Sequence, residues 1–237
     1  MKKVLKGFSE KGDGSMYLST ENPLPENVAN RKRFLEANNL GGRKIVVARL
    51  VHGSNVEKVD AGSEYFIPDT DALVTRTPEI LLTLTGADCF PVYFEEKIAG
   101  IIGLAHCGWR GIVDGIIEKT VAAIVEMGGK AENIVLTIGP GICEKHFEIK
   151  EDVLPSFSEY PEFIFRNKNV TVDLKGIIKK QADEVGIVSA NISDTNECTY
   201  CLSEKYFSYR RDTADSDKEK YLEAQIAYII QFPHRKF

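Results

Sequence analysis

Between Arg43 and His106 the chain carries apolar runs too short for helices, each cut off by glycine, proline, aspartate or charge: "RKIVVARLV", "ALVTRT", "ILLTLTGADC", "FPVYFEE" and "IAGIIGLAH". Their length and β-branched content predict strands. Strands arriving in succession, with no helical stretch between each pair, argue against a strictly alternating doubly wound fold. After Gly108 the pattern changes. Ile112, Ile116, Ile117, Val121, Ile124 and Val125 recur at helical spacing and Gly128 and Gly129 close the segment, which predicts a helix from about Arg110 to Met127. "NIVLTIGPGI" reads as a strand entering a tight loop, and "EDVLPSFSEYP" as a short helix broken by its prolines. "VDLKGIIKKQADEVG" reads as a second amphipathic helix. The stretch from Glu197 to Phe237 shows no clear pattern. No repeat, low-complexity tract or Pro/Ser-rich linker divides the chain, so one mixed α/β domain over residues 1–237 is expected.

With 237 residues, 43% of them hydrophobic, the chain can bury a large core. A net charge of -5 offers no basic face for neutralising phosphate backbones, so small substrates are expected rather than nucleic acid. Five cysteines are an odd set for a closed disulfide framework, and no leader pattern precedes Met16. A reducing cytoplasm is therefore the expected setting. "IAGIIGLAHCGW" is too short to cross a bilayer, which takes about 20 apolar residues. No membrane anchor is expected. "GRK" near Gly42 and "GPGI" near Gly139 lack the spacing and the strand-to-helix context of a nucleotide-binding loop.

Three side chains with lone pairs for a soft or borderline metal fall where apolar strands end: His52 in "LVHGSN", Cys89 in "TGADCF" and His106 in "LAHCGW". Two imidazoles and a thiolate with one position left open would make a catalytic rather than a structural zinc site, and copper would accept the same donors. Spacing alone does not bring these residues together. A strand-end histidine is often a surface hydrogen-bonding group, and a cysteine after an apolar run is often inert core. "CTYC" at Cys198 and Cys201 is a single CxxC, a weak redox or zinc-knuckle signal without a second pair.

Taken in order, "VHG" at 51–53, "DALVT" at 71–75, "ADC" at 87–89, "AHCGWRG" at 105–111, "IGPGI" at 138–142, "CT" at 198–199 and "FSYRRD" at 207–212 resemble the laccase-domain proteins. That family is also described as multicopper polyphenol oxidase-like and as purine nucleoside phosphorylases. The resemblance spans most of the chain. It implies an α/β (α+β) layered sandwich of mixed sheets, similar to the catalytic domain of cytotoxic necrotizing factor. It also implies that His52, Cys89 and His106 are the catalytic, zinc-binding triplet. On that reading Arg110 opens the helix after Gly108 and can partner an anion such as phosphate, while Trp109 walls the pocket, stacks on a base or simply anchors the core. Arg210 and Arg211 can supply a second anion contact, or pair on the surface with Asp212 or Asp215. Asp88 can act as general acid or base, contact substrate, or orient a ligand histidine. Three features depart from the family pattern: Cys107 in place of alanine, Cys143 and His146 in "ICEKHFEI", and a missing "TGR" turn after "SYRRD".

The activity the resemblance implies is zinc-dependent phosphorolysis of purine nucleosides (inosine, guanosine, adenosine, methylthioadenosine), together with adenosine deamination. Copper-dependent polyphenol oxidation needs several coppers, and the chain has four histidines in all. A metal-free Cys-His hydrolase acting on an amide such as a peptidoglycan precursor would use Cys89 as nucleophile and His106 as base. A non-catalytic metal-binding protein is the remaining alternative.

Overall fold

The computed structural model describes residues 3–18, 23–213 and 222–233. Strands β1 (Val4–Phe8), β2 (Lys44–Ala48), β3 (Val56–Lys58), β4 (Phe66–Ile67), β5 (Ala72–Thr75), β6 (Ile80–Gly86), β7 (Phe90–Glu96) and β8 (Ile101–Cys107) occupy the first half. Strands β9 (Ile134–Ile138), β10 (Ile164–Arg166), β11 (Val170–Val172), β12 (Ile192–Asp194) and β13 (Gln225–Gln231) follow. The helices are α1 (Pro25–Ala37), α2 (Trp109–Val113), α3 (Ile116–Glu126), α4 (Leu174–Glu184) and the short α5 (Tyr209–Asp212).

Two mixed sheets carry the architecture. One runs β1-β13-β6-β2-β4, with β2 parallel to both β4 and β6 and β13 antiparallel to both its neighbours. The other runs β12-β9-β7-β8-β5-β3, antiparallel at its centre and parallel at both edges. β10 and β11 form a separate hairpin.

Side-chain alternation assigns each strand's faces to different cores. Leu82 and Leu84 of β6, Ala227 and Ile229 of β13, Leu73 of β5 and Ile102 and Leu104 of β8 meet between the two sheets. Leu81, Ile226, Tyr228 and Ile230 point the other way, onto Phe34 and Leu35 of α1. Ala72, Val74, Ile101 and Ala105 face outward from the second sheet onto α2, α3 and α4. The result is helix, sheet, sheet, helix in layers, a mixed α+β sandwich. Because β7 and β8 are buried along their whole length, on both faces, their sequences read as continuous apolar runs rather than alternating ones.

The predicted strands are present, and α4 forms with Asp173 as its cap, accepting from the Gly176 amide at 3.0 Å. Three expectations need correction. The helix foreseen from Arg110 to Met127 is two helices, because Gly115 takes a left-handed φ of 77° between α2 and α3. Val125, placed on the buried stripe by its spacing, is 47% exposed. "EDVLPSFSEYP" forms 3-10 turns at Leu154–Phe157 and Pro161–Phe163, each with proline in its first turn. The stretch after Glu197, left without a pattern, holds β13, a buried interior strand. Asp215 lies outside the described residues. Among the described residues no helix is long and apolar enough to cross a membrane.

Candidate metal centre

His106 is the penultimate residue of β8, and the β7–β8 register pairs Pro91 with His106 and Phe90 with Cys107. That ladder puts Cys89, the last residue of the β6–β7 turn, beside Gly108. β2 stops at Ala48, so His52 sits on the loop beyond it rather than at the strand's own end, with a left-handed φ of 57°. One lone-pair atom from each of His52, Cys89 and His106 lies within 4.8 Å of the other two. The imidazoles of His52 and His106 meet edge to face, with centroids 4.9 Å apart. Gly108 keeps the space between them open. A Cβ there would lie 3.2 Å from Cys89 Sγ, 3.4 Å from His52 Cδ2 and 3.5 Å from His106 Cε1.

One buried carboxylate organises two of the three donors. Asp71 immediately precedes β5, and its side chain accepts from the successive amides of Val51, His52 and Gly53 at 3.3, 3.0 and 2.8 Å. Those bonds offset the cost of left-handed backbone at His52. The same carboxylate lies 3.0 Å from His106 Nδ1, which leaves Nε2 as the available lone pair. Although burial raises the Asp71 carboxyl, its bonds to His106 and the Gly53 amide outweigh that and hold it below the ordinary carboxylate range. Burial also opposes a thiolate at Cys89, yet the two adjacent imidazoles bring that thiol down to about 6. His106, despite its burial, is pushed up to about 9 by the Cys89 thiolate and Asp71. Once the His106 proton is displaced, deprotonated sulfur and an imidazole whose Nδ1 faces Asp71 are the donor set a borderline divalent metal takes. The residues fit zinc or copper. His106 is buried while His52 is exposed, so the third side opens toward solvent. Cys107 points into the hydrophobic core, where burial raises its thiol well above the ordinary range. It is inert packing.

The triplet forms part of the wall of a cavity of about 860 Å³, lined also by Trp109, Arg110, Asp88, Arg210 and Tyr209. Trp109 is half-buried against Phe157, and Arg110 covers its ring at 4.4 Å, so the indole is wall and core anchor together. Arg31 and Arg49 also line the cavity. Sequence reasoning missed both, since Arg31 comes from a helix with no clear apolar stripe and nothing local marks Arg49.

Of the alternatives open for Asp88 and Arg211, the structure separates some: Asp88 lines the cavity, and Arg211 takes the Asp212 pairing. The Asp88 carboxylate accepts from Thr199 Oγ1 at 2.6 Å, Ser208 Oγ at 3.0 Å and the Arg210 amide at 2.7 Å. None of these three partners is a histidine. The carboxylate bonded to the His106 imidazole is instead Asp71, and Asp88 ties the "SYRRD" segment to the turn that carries Cys89. Arg211 donates to the carbonyls of Thr199, Tyr200 and Tyr206 and pairs with Asp212 at 2.7 Å, away from the cavity. Its neighbour Arg210 does reach the cavity wall, with its guanidinium held by the His146 and Glu148 carbonyls.

Comparison with known proteins bears on the family and the fold. The family described as multi-copper polyphenol oxidoreductase laccase matches residues 6–218. A purine nucleoside phosphorylase of Deinococcus radiodurans is 34% identical over 203 residues, covering 84% of this chain and 77% of that one. The Escherichia coli purine nucleoside phosphorylase YfiH is 32% identical over 188 residues, covering 77% of this chain and 74% of that one. The adenosine deaminase RL5, from an unknown prokaryote, is 29% identical over 182 residues, covering 70% of each chain. In three dimensions, YlmD from Geobacillus stearothermophilus superposes with a TM-score of 0.85 at 26% identity, covering 97% of this chain and 92% of that one. With the match extending over nearly the whole chain, the protein belongs to the multi-copper polyphenol oxidoreductase laccase family.

Proposed function

We propose that this protein is a zinc-dependent purine nucleoside phosphorylase with adenosine deaminase activity, acting on inosine, guanosine, adenosine and methylthioadenosine as one domain over residues 1–237 in the cytoplasm. The observation that carries the reading is the convergence of His52, Cys89 and His106 within 4.8 Å on the wall of a cavity that four arginines also line. His52 Nδ1 or Nε2, Cys89 Sγ and His106 Nε2 would hold the metal. When bound, zinc supplies Lewis acidity at that wall. All five cysteines are free, which supports a reducing compartment.

The chain's own residues account for binding and orientation. Arg110 offers its guanidinium to phosphate, while Arg31, Arg49 and Arg210 make the cavity attractive to anions. Tyr209, 44% exposed and lining the same cavity, provides an aromatic face for the base. Asp71 keeps His106 in one tautomer and one orientation. In phosphorolysis a phosphate oxygen bonds to ribose C1′ as the C1′–N9 bond breaks, and the purine departs with a proton. In deamination water adds at purine C6 and ammonia leaves.

Incubation with inosine and phosphate should yield hypoxanthine and ribose 1-phosphate, and adenosine alone should yield inosine and ammonia. Chelation should abolish both, and Cys89→Ala and His106→Ala should be inactive. A fully active Cys89→Ala protein would refute the reading. A second reading has its own support: Cys89, His106 and Asp71 form a nucleophile, base and orienting carboxylate in sequence, as a metal-free Cys-His amide hydrolase requires. Activity that persists in chelator and disappears on thiol alkylation would select it.

A further inference from the structure

Outside this centre, a second set of donors converges from two separate segments. Cys143 and His146 lie on the loop after β9, and Cys198 and Cys201 lie between β12 and α5. One donor atom from each lies within 4.8 Å of the other three. His146 Nδ1 is 3.2 Å from Cys143 Sγ and 3.4 Å from Cys201 Sγ, and the Cys143 amide donates to Cys198 Sγ at 3.2 Å. The imidazole is held flat against Tyr200, with ring centroids 4.1 Å apart and planes 17° from parallel. Below the cluster the two segments are joined through backbone by the Gly141–Cys198 bridge and the Thr199 amide donating to the Gly141 carbonyl at 3.1 Å.

We propose that Cys143, His146, Cys198 and Cys201 bind a structural zinc ion, distinct from the His52, Cys89 and His106 centre. The spacing is C-x2-H on one segment and C-x2-C on the other, two short clips meeting face to face, which is the way four-ligand zinc sites are built. Three sulfurs and one nitrogen fill a tetrahedron and leave no open position, so the ion is structural where the first is catalytic. Its loading sends the thiol protons to buffer. Without a metal, three free thiols and an imidazole crowded together gain little, since each thiol is only a weak donor and acceptor.

The ion clamps the loops that set the cavity wall. His146 and Glu148 present their carbonyls to the Arg210 guanidinium, and Ile142 and Phe147 line the cavity from the same loop. From the other segment, Thr199 reaches the Asp88 carboxylate beside Cys89, and Tyr200 holds Arg211. Joining Cys143–His146 to Cys198–Cys201 thus fixes the far side of the pocket relative to the first metal. The inference does not depend on which reaction the first centre performs.

The test is a metal count on protein purified from zinc-supplemented cells, with X-ray absorption at the zinc edge. Two zinc ions per chain with a mean of about two sulfurs per zinc are expected, since the two donor sets share four sulfurs. Cys201→Ser should lose one equivalent and keep the other, whereas a Cys89→Ala, His106→Ala double variant should lose the complementary one. One zinc per chain with a single sulfur would overturn the proposal, as would a different metal in the four-donor site. A Cys143–Cys198 or Cys198–Cys201 disulfide, found by counting fewer than five thiols in denaturant with chelator, would overturn it too. The absorption measurement uses the unaltered protein, so a variant that fails to fold does not remove the test.

Discussion

Asp71 Oδ1 stands 3.0 Å from His106 Nδ1 while both oxygens of the same carboxylate gather the amides of Val51, His52 and Gly53. One buried charge therefore aims a strand imidazole and shapes the loop that carries the other. Asp71→Asn should weaken metal binding by about 10- to 100-fold, the usual consequence of losing a carboxylate behind a ligand histidine. Competition against a zinc chelator of known affinity measures it. Unchanged affinity would mean that strand pairing alone orients His106.

Gly108 has ordinary extended backbone, φ -75° and ψ 160°, so alanine is allowed there and only the contacts with Cys89, His52 and His106 oppose it. Gly108→Ala should lower metal affinity about tenfold by spreading the donors. Thermal stability of the metal-free protein should fall by only about 1 kcal/mol, the scale of an N-cap change. Equal loss in both measurements would assign the glycine to folding instead.

Arg110 and Arg211 should behave in opposite ways. Arg110 is exposed on the cavity wall, so Arg110→Ala should raise KM for phosphate about tenfold, worth roughly 1.5 kcal/mol of charge-assisted contact, and leave stability almost unchanged. Arg211→Ala should leave KM alone and cost about 2–3 kcal/mol of stability, because three backbone carbonyls lose their donor. Steady-state kinetics beside urea melts separate the two effects.

The Glu95 carboxylate lies between the sheets' strands β1 and β7, with Lys6 Nζ at 2.5 Å and Lys97 also bonded to it. Burial raises its carboxyl, but the two ammonium groups outweigh that and hold it below the ordinary range. A depressed folded value contributes stability above the unfolded value near pH 4.3, and that contribution is lost as pH falls through the folded value. Glu95→Gln should cost about 1–3 kcal/mol at pH 7, and the gap to the unaltered protein should begin to narrow once pH falls below about 4.3 and vanish only below the depressed folded value. Urea melts at a series of pH values would show it, and a gap that persists in acid would exclude the linkage.

His52, Cys89 and His106 were legible because each follows an apolar run, where strands hand over to turns. Their meeting was not, since it depends on β7–β8 and β5–β8 pairing, and Asp71 opposes His106 only through the Ala72–Ala105 register. The break in the helix after Gly108 had a local signal in Gly115, overridden by the regular spacing of the isoleucines. α1 had none, because Asn27, Asn30 and Arg31 supply much of its buried face and bond to the backbone of Ser15, Met16 and Tyr17. Trp109 could be read as either wall or core, and its contacts make it both. The four-donor cluster showed as two unremarkable fragments, since neither half of a shared site is diagnostic by itself.

β13 pairs Val4 with Gln231 on one side and Gly86 with Gln225 on the other, inserting the last described strand between the first and the sixth. Closing loops of that length before any ladder forms makes assembly slow by topology. Until β13 docks, β6 shows a bare hydrogen-bonding edge, a template for pairing with other chains. Ala224, just ahead of β13, lines the cavity that Gly86 and Cys89 also line. The pocket therefore takes shape only when the chain completes its longest-range pairing, and metal that arrives earlier meets its donors in an open cleft.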